Sequence, residues 1–450
     1  MKLKRVSVIL VFAMASLASW GQAWDLRQCI DYAMEHNISL QKSRISVKEA
    51  QTDLLTAKAQ MFPSLTFNTN QNVTNRPWSE NAMNVVSDGT GNMMANSSQS
   101  ATNYNGNYGL NASWLVWNGG QRKKNIEQAE IQIEQAELAT ASNANTIQEQ
   151  IVQNYVQILY AKESVKVNES TLAVSKAQRD RAAEMVKVGH LSKTDLAQLE
   201  AQVANDEYNL VNAQTQVARY KMALKQLLEL TGDDTFDIAT IEVSDQRALS
   251  ALPAVEEVYS AALTTRPEIR SGQLSRDAAE LDIALAKAGR MPNVSLNAGI
   301  GTSNYSGSDN SLTKQWKQNW NNTVGLSVSV PILSNRKNRS AVEKAKLQRQ
   351  ASDLDLQDLQ KQLYNEIEGY WLDAVNARQQ FRSACANEES MQASFNLVSE
   401  QFNLGLKNLV ELMDGKNNLQ AARQSKLQSK YTFILNEQLL KFYAGESINL

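Results

Sequence analysis

The sequence predicts a mainly α chain with a small β component, folded twice over from one unit of helix, strand, strand, long helix and return helix. Three observations carry that prediction. From Gln121 to about Val188 there is no proline or glycine, helix formers dominate, and Ile151, Ile158, Val165 and Leu172 recur at sevens as a coiled-coil seam requires. Four short segments instead alternate apolar and polar residues with the period of two of a half-covered strand. The second half then repeats the first at a fixed offset, without a gap, over more than a hundred residues.

Taken in order, Lys2, Lys4 and Arg5 precede an apolar run from Val6 to Trp20 and the small residues of Gly21-Gln22-Ala23, the pattern of a cleaved secretory signal over residues 1–23. A first repeat follows over 24–235. Trp24 to about Met61 reads as one helix, with Leu26, Ile30, Ile38, Ile45 and Leu54 among its apolar positions and Pro63 closing it. Leu65, Phe67 and Thr69 alternate with Ser64, Thr66, Asn68 and Asn70 in a first strand, and Tyr104 to Val116 alternates in a second. The stretch between them, rich in Asn, Ser, Gly and Met, has no period and reads as a long exposed loop. Beyond Trp117-Asn118-Gly119-Gly120 the chain enters a helix of roughly 70 residues, about 100 Å long at 1.5 Å per residue. After Gly189 it turns back, with Leu196, Val203, Leu210, Val217 and Leu224 again at sevens.

An offset of 216 places Ile151 on Ile367, Tyr155 on Trp371, Gly189 on Gly405 and Leu196 on Leu412; upstream an offset of 229 places Leu26 on Val255, Lys58 on Lys287 and Pro63 on Pro292. The 13-residue difference falls in the loop between the two strands of each half, where insertions are cheapest. A polar segment without heptads, 236–251, reads as an equatorial linker, and 252–450 as the second repeat. Its strands alternate cleanly, with Val294, Leu296, Ala298 and Ile300 on one face and Val324, Leu326, Val328 and Val330 matching them. In its return helix Lys426 interrupts a seam of Leu412, Leu419, Phe433 and Leu440.

Composition narrows the function. The formal charge of −2 over 450 residues shows no basic concentration suited to a phosphate backbone, which excludes nucleic acid as a partner. His36 and His190, the two histidines, belong to no nucleophile-base-acid set, and no CxxC, HExxH, P-loop or GxGxxG is present, so no enzyme, metal or cofactor is expected. Helical rise places Cys29 about 50 Å and Cys385 about 80 Å from the strand layer, predicting two free thiols. No segment after residue 23 has the length of a membrane-spanning helix, while Trp114, Trp117, Trp316, Trp320 and several tyrosines cluster in or beside the strands like a bilayer girdle. A membrane would therefore be crossed by strands in a small membrane β-barrel. Four strands cannot close one, so several chains must contribute: two give eight strands and three give twelve, of which only the larger leaves an obvious lumen, lined by Asn, Ser, Thr and Gly.

The duplicated order, together with the turns VGHLSKTDL (Val188 to Leu196) and LGLKNLVEL (Leu404 to Leu412), resembles the TolC-like outer-membrane efflux proteins over the whole chain after residue 23. The resemblance implies a homotrimeric α/β barrel tube, with a twelve-stranded barrel, four strands per chain, in outer-membrane lipid and a coiled-coil tunnel across the periplasm. It implies an exit channel for efflux or type I secretion, partnered by a periplasmic adaptor (membrane fusion protein) and an inner-membrane pump such as an RND or ABC transporter. It carries adaptor docking to Val188, Gly189, Leu191, Ser192 and Asp195 in the first tip and to Leu404, Gly405, Leu406 and Glu411 in the second, where Asn408-Leu409-Val410 departs from the usual Ser/Thr. A tunnel constriction near the tips is also implied, for which Phe381, Arg382, Glu388, Glu389 and Glu400 are the candidates against the alternative of a solvated helix face. The rival function is a non-channel trimeric coiled-coil envelope protein such as an adhesin or spacer.

Overall fold

A computed structural model describes residues 23–75, 84–87, 93–96, 102–232, 236–241, 243–306, 308, 310–446 and 448. The signal segment expected over residues 1–23 lies outside them except for its last residue, and most of the long first loop does too. The helices are α1 (Leu26–His36), α2 (Ile38–Ala59), α3 (Gln121–Lys187), α4 (Lys193–Leu227), α5 (Val255–Thr265), α6 (Pro267–Ala288), α7 (Leu312–Gln318), α8 (Lys337–Asn403) and α9 (Leu409–Tyr443); the strands are β1 (Ser64–Asn75), β2 (Asn84–Ser87), β3 (Met93–Asn96), β4 (Thr102–Asn118), β5 (Asn293–Tyr305) and β6 (Asn321–Ser329). The duplication holds to the residue. Helices α3 and α8 have 67 residues each and α4 and α9 have 35 each, all displaced by 216, while α1 and α5 (11 each) and α2 and α6 (22 each) are displaced by 229. Among the described residues no helix is long and apolar enough to cross a membrane.

The chain divides into two compact units. One, made of residues 48–134 and 274–353, holds an antiparallel sheet of order β1-β4-β5-β6. The register brings Phe67, Leu110 and Ile300 side by side on one face, with Leu65, Ala112, Ala298 and Val324 in the next row. Asn, Ser, Thr and Gly occupy the other face. Within the described chain β1 and β6 each pair on one side only, and Phe67, Val324 and Leu326 are exposed. Two left-handed residues lead from β4 and from β6 into the long helix that follows each: Gly119 (φ +68°) and Gly120 (φ +83°) in the first repeat, and their counterparts Asn335 (φ +45°) and Arg336 (φ +67°) in the second. Arg122 staples the first junction, donating from Nη1 to the Gln60 carbonyl at 3.0 Å and from Nη2 to that of Val116 at 2.8 Å.

The other unit, residues up to 47, 135–273 and from 354 onward, is helical. Its core joins Ile151, Tyr155, Ile158 and Leu159 of α3 to Ile367, Ala374 and Phe381 of α8 and to Phe433, Ile434 and Leu440 of α9. The linker over 236–251, expected to be a polar belt, places Phe236, Ile238, Val243 and Ala248 in this core and pairs Trp24 with Ile238 in a parallel bridge. Both thiols are free, with Cys29 buried in the core and Cys385 partly covered; burial pushes the Cys29 thiol up to about 12.

Two expectations need correction. The helix expected from Trp24 to Met61 is two, broken where Asn37 adopts extended backbone (ψ 125°). Asn37 then caps α2 by accepting from the Leu40 N–H at 3.2 Å and donates to the Leu227 carbonyl at 3.0 Å. The equivalent break at Arg266 (ψ 124°) precedes Pro267, which disfavours helical backbone in the residue before it and starts a helix well. The Asn37 break had no such marker. Second, the loop after β1 contains the hairpin β2–β3, whose four-residue strands are too short to show a period. Trp316, expected in or beside the strands, lies beside them, in α7, a short helix packed on β5.

Candidate functional site

Both tips are built the same way. Helix α3 ends at Gly189 (φ +78°), where the Gly189 N–H reaches the Val186 carbonyl at 3.1 Å and the His190 N–H reaches that of Met185 at 2.9 Å. Helix α8 ends at Gly405 (φ +76°) with Gly405 to Phe402 at 3.0 Å and Leu406 to Gln401 at 2.9 Å. This double bond pattern satisfies the last helical carbonyls and needs the left-handed conformation that glycine adopts without strain.

The return helices start on equivalent caps. Ser192 Oγ accepts from the Asp195 N–H at 3.1 Å and donates to Asp195 Oδ2 at 2.7 Å. At the matching position Asn408 accepts from the Glu411 N–H at 2.9 Å, and Glu411 accepts from the Asn408 N–H at 3.1 Å, closing a reciprocal capping box. The departure of the second tip from a Ser/Thr pattern is thus a change of capping residue, not of turn. Hydrogen bonds from Lys407 and from the Asn408 N–H hold the Glu411 carboxyl below its usual range.

Beneath the turns Leu199, Phe395, Phe402, Leu409, Leu412 and Leu419 form a small separate core, with Leu191 and Leu196 packed against it. Above it Val188 (68% exposed), Leu404 (74%) and Leu406 (71%) leave their side chains in solvent, as does Val410. Val410 was missing from the sequence-derived set, hidden by its position in a helical first turn.

The constriction candidates all lie on α8. Phe381 is fully buried in the large core, which corrects its assignment: its ring is a packing element. Arg382, Glu389 and Glu400 lie exposed on α8. Glu388 is engaged by Lys426 at 2.9 Å and Arg423 at 3.7 Å. The same Lys426 and Lys430 bind Asp245 of the linker at 3.2 and 2.7 Å, while Lys162 and Lys221 bind Asp237 at 2.7 and 2.9 Å. Burial alone would raise both aspartates, but these lysine hydrogen bonds outweigh it and hold their carboxyls low. Lys426 therefore interrupts the seam in order to clamp the linker.

A second charge on a seam was overlooked. Lys416, between Leu412 and Leu419, and Asp206, between Val203 and Leu210, meet at 2.6 Å with 4% and 2% of their side chains exposed. Ser175 Oγ donates to the same carboxylate oxygen and accepts from Lys416 Nζ at 2.9 Å, and Gln202 Nε2 reaches the other oxygen at 3.0 Å. The signal was available: a charge at three- or four-residue spacing within an apolar stripe.

Comparison with known proteins matches the outer membrane efflux protein family over residues 29–229 and 258–446. The chain is similar to outer membrane protein TolC of Salmonella enteritidis, 21% identical over 99% of this chain and 87% of the relative. It is also similar to the alkaline protease secretion protein AprF of Pseudomonas aeruginosa, 23% identical over 66% of this chain and 60% of the relative. A solved structure of CusC shares the fold with a TM-score of 0.77 at 19% identity, covering 95% of this chain and 94% of that one.

Proposed function

From the premise that this chain belongs to the outer membrane efflux protein family, we propose that three copies form the exit channel of a tripartite efflux or type I secretion system. The protein is located in the outer membrane, as its relatives are. The observation that supports the channel most directly is a four-stranded sheet with one exposed apolar face, one polar face and two edges that lack a partner within the described chain. In hydrocarbon such edges cost several kcal/mol per unsatisfied backbone group, roughly, unless other strands close them. Three copies supply twelve strands, with the apolar face toward lipid and the polar face lining a water-filled lumen.

In this reading residues 24–235 and 252–450 are the two outer-membrane efflux repeats, joined by the 236–251 linker. The two turns dock a periplasmic adaptor through Val188, Leu191, Leu404 and Leu406, whose apolar side chains sit on backbones rigidified by Gly189, Gly405 and the caps at Ser192/Asp195 and Asn408/Glu411. An inner-membrane pump of the RND or ABC type delivers the cargo. The relatives bear names for alkaline protease secretion and cation efflux; in this reading the pump, and not this component, sets the cargo. The family match goes against the adhesin alternative.

The test is the native mass and particle structure of the protein purified from the outer-membrane fraction. A trimer with a hollow axis and a twelve-stranded barrel is expected. A monomer, or a particle with no lumen, refutes the channel.

A further inference from the structure

Helix α7 lies on the apolar face of the sheet. Thr302 and Tyr108 are register partners two residues beyond the pair Leu110 and Ile300, on the same side of the sheet. Thr302 Oγ1 donates to the Trp316 carbonyl at 2.8 Å, and the Tyr108 and Trp316 rings meet edge to face at 5.5 Å. Gln315, buried, accepts from the Tyr305 N–H at 2.9 Å, and Asn319 donates to the Ser303 carbonyl at 2.8 Å. A seven-residue helix does not persist alone in water; these ties fix it to β5 beyond the end of β6, with the Trp316 ring reaching Tyr108 of β4.

Its level is set by the strand. Thr302 stands roughly 7 Å past Ile300, the last apolar residue of β5 on that face, at 3.3 Å or so per residue. Leu312 and Trp316 are both exposed and share one side of the helix, with Trp320 exposed just beyond. Lys314 and Lys317 occupy the opposite side, both exposed, and no carboxylate among the described residues pairs with either. Aromatic and aliphatic groups at the rim of an apolar band, with lysines directed away from it, are complementary to a boundary between acyl chains and phosphate headgroups.

We propose that α7 is an interfacial anchor on the outer surface of the barrel, in which Leu312 and Trp316 enter the outer-leaflet boundary and Lys314 and Lys317 pair with lipid phosphates. The inference rests on the apolar face being the lipid face. It assigns the insertion between β5 and β6 to the membrane side of the sheet, not to the lumen.

The test uses the full chain reconstituted in vesicles of phosphatidylethanolamine and phosphatidylglycerol, with Cys385→Ser removing the partly exposed thiol. A nitroxide is placed at Thr313→Cys and, in a separate sample, at Leu326→Cys in the middle of the apolar face, and its collisions with oxygen and with a water-soluble nickel chelate are measured. The expected result is a lipid-buried label at 326 and a label at 313 of intermediate depth. Lys314→Gln with Lys317→Gln is expected to raise nickel collisions at 313 severalfold and leave 326 unchanged. A label at 313 as open to nickel as free peptide, with 326 in lipid, overturns the anchor while the barrel stands. A label at 313 shielded from both reagents shows protein cover, such as a second copy, and also overturns it. An unchanged depth in the lysine variant overturns the phosphate pairing, and water access at 326 refutes the barrel itself.

Discussion

Lys416→Met isolates the Asp206 carboxylate in a site where 2% of its side chain meets solvent. Ser175 and Gln202 still donate to it, but the cation that meets it among the described residues is gone. Removing one partner of a buried ion pair costs about 3–5 kcal/mol, because the remaining charge keeps its desolvation penalty. Replacing all three groups by apolar ones, as S175A/D206L/K416M, removes the penalty together with the pair and is expected to fall within about 1–2 kcal/mol of the parent. The assay is amide hydrogen exchange, read over the α4 and α9 segments that flank these residues, in the purified full chain. If opening is local, a loss of about 3–5 kcal/mol accelerates exchange there by about two to nearly four orders of magnitude. Parental exchange in the single variant, or a triple variant as open as the single one, would show that the triad is not held as an ion pair and refute the reasoning.

Other expectations follow from local geometry. Arg336→Gly relieves a left-handed non-glycine residue, and the unfolding midpoint should rise by the equivalent of about 1 kcal/mol; Arg339 still holds Glu343 at 3.1 Å. Gly119→Ala should destabilise more than Gly120→Ala, since its Cβ would stand 2.6 Å from Met291 Cβ and 2.8 Å from the Ala288 carbonyl, whereas Gly120 faces open space. Asn408→Ala should cost the second tip about 1 kcal/mol, seen as faster exchange in the first turn of α9. Because the Glu411 carboxyl is held low, its contribution is present above the ordinary carboxylate range and lost as pH falls through the depressed value. Exchange at that turn should rise on acidification, and Glu411→Gln should flatten the dependence. Alkylation of the native chain should modify Cys385 and spare Cys29 until the protein unfolds, since Cys29 is buried and its thiol is raised to about 12; equal rates would contradict the burial.

What the chain determined by itself is everything periodic or repeated. The seams at seven, the alternation of the strands and the offsets of 216 and 229 located nearly every long element, because helix and strand periods are written in neighbouring residues and the duplication reads each one twice. The glycines of the tips were legible for the same reason, as a left-handed residue closing a helix is a local requirement. Tertiary structure decided what depends on distant partners. Asn37 breaks a helix that its own neighbours would continue, and the gain comes from Leu40 and from Leu227, 190 residues away. Phe381 looked free for a constriction until the core of three long helices enclosed it. Lys416 and Asp206, each a flaw on its own stripe, become a pair because folding brings residues 210 apart within 2.6 Å. A charge on an apolar seam can be read from one segment; its partner cannot, since the interaction energy belongs to a separation that only packing creates.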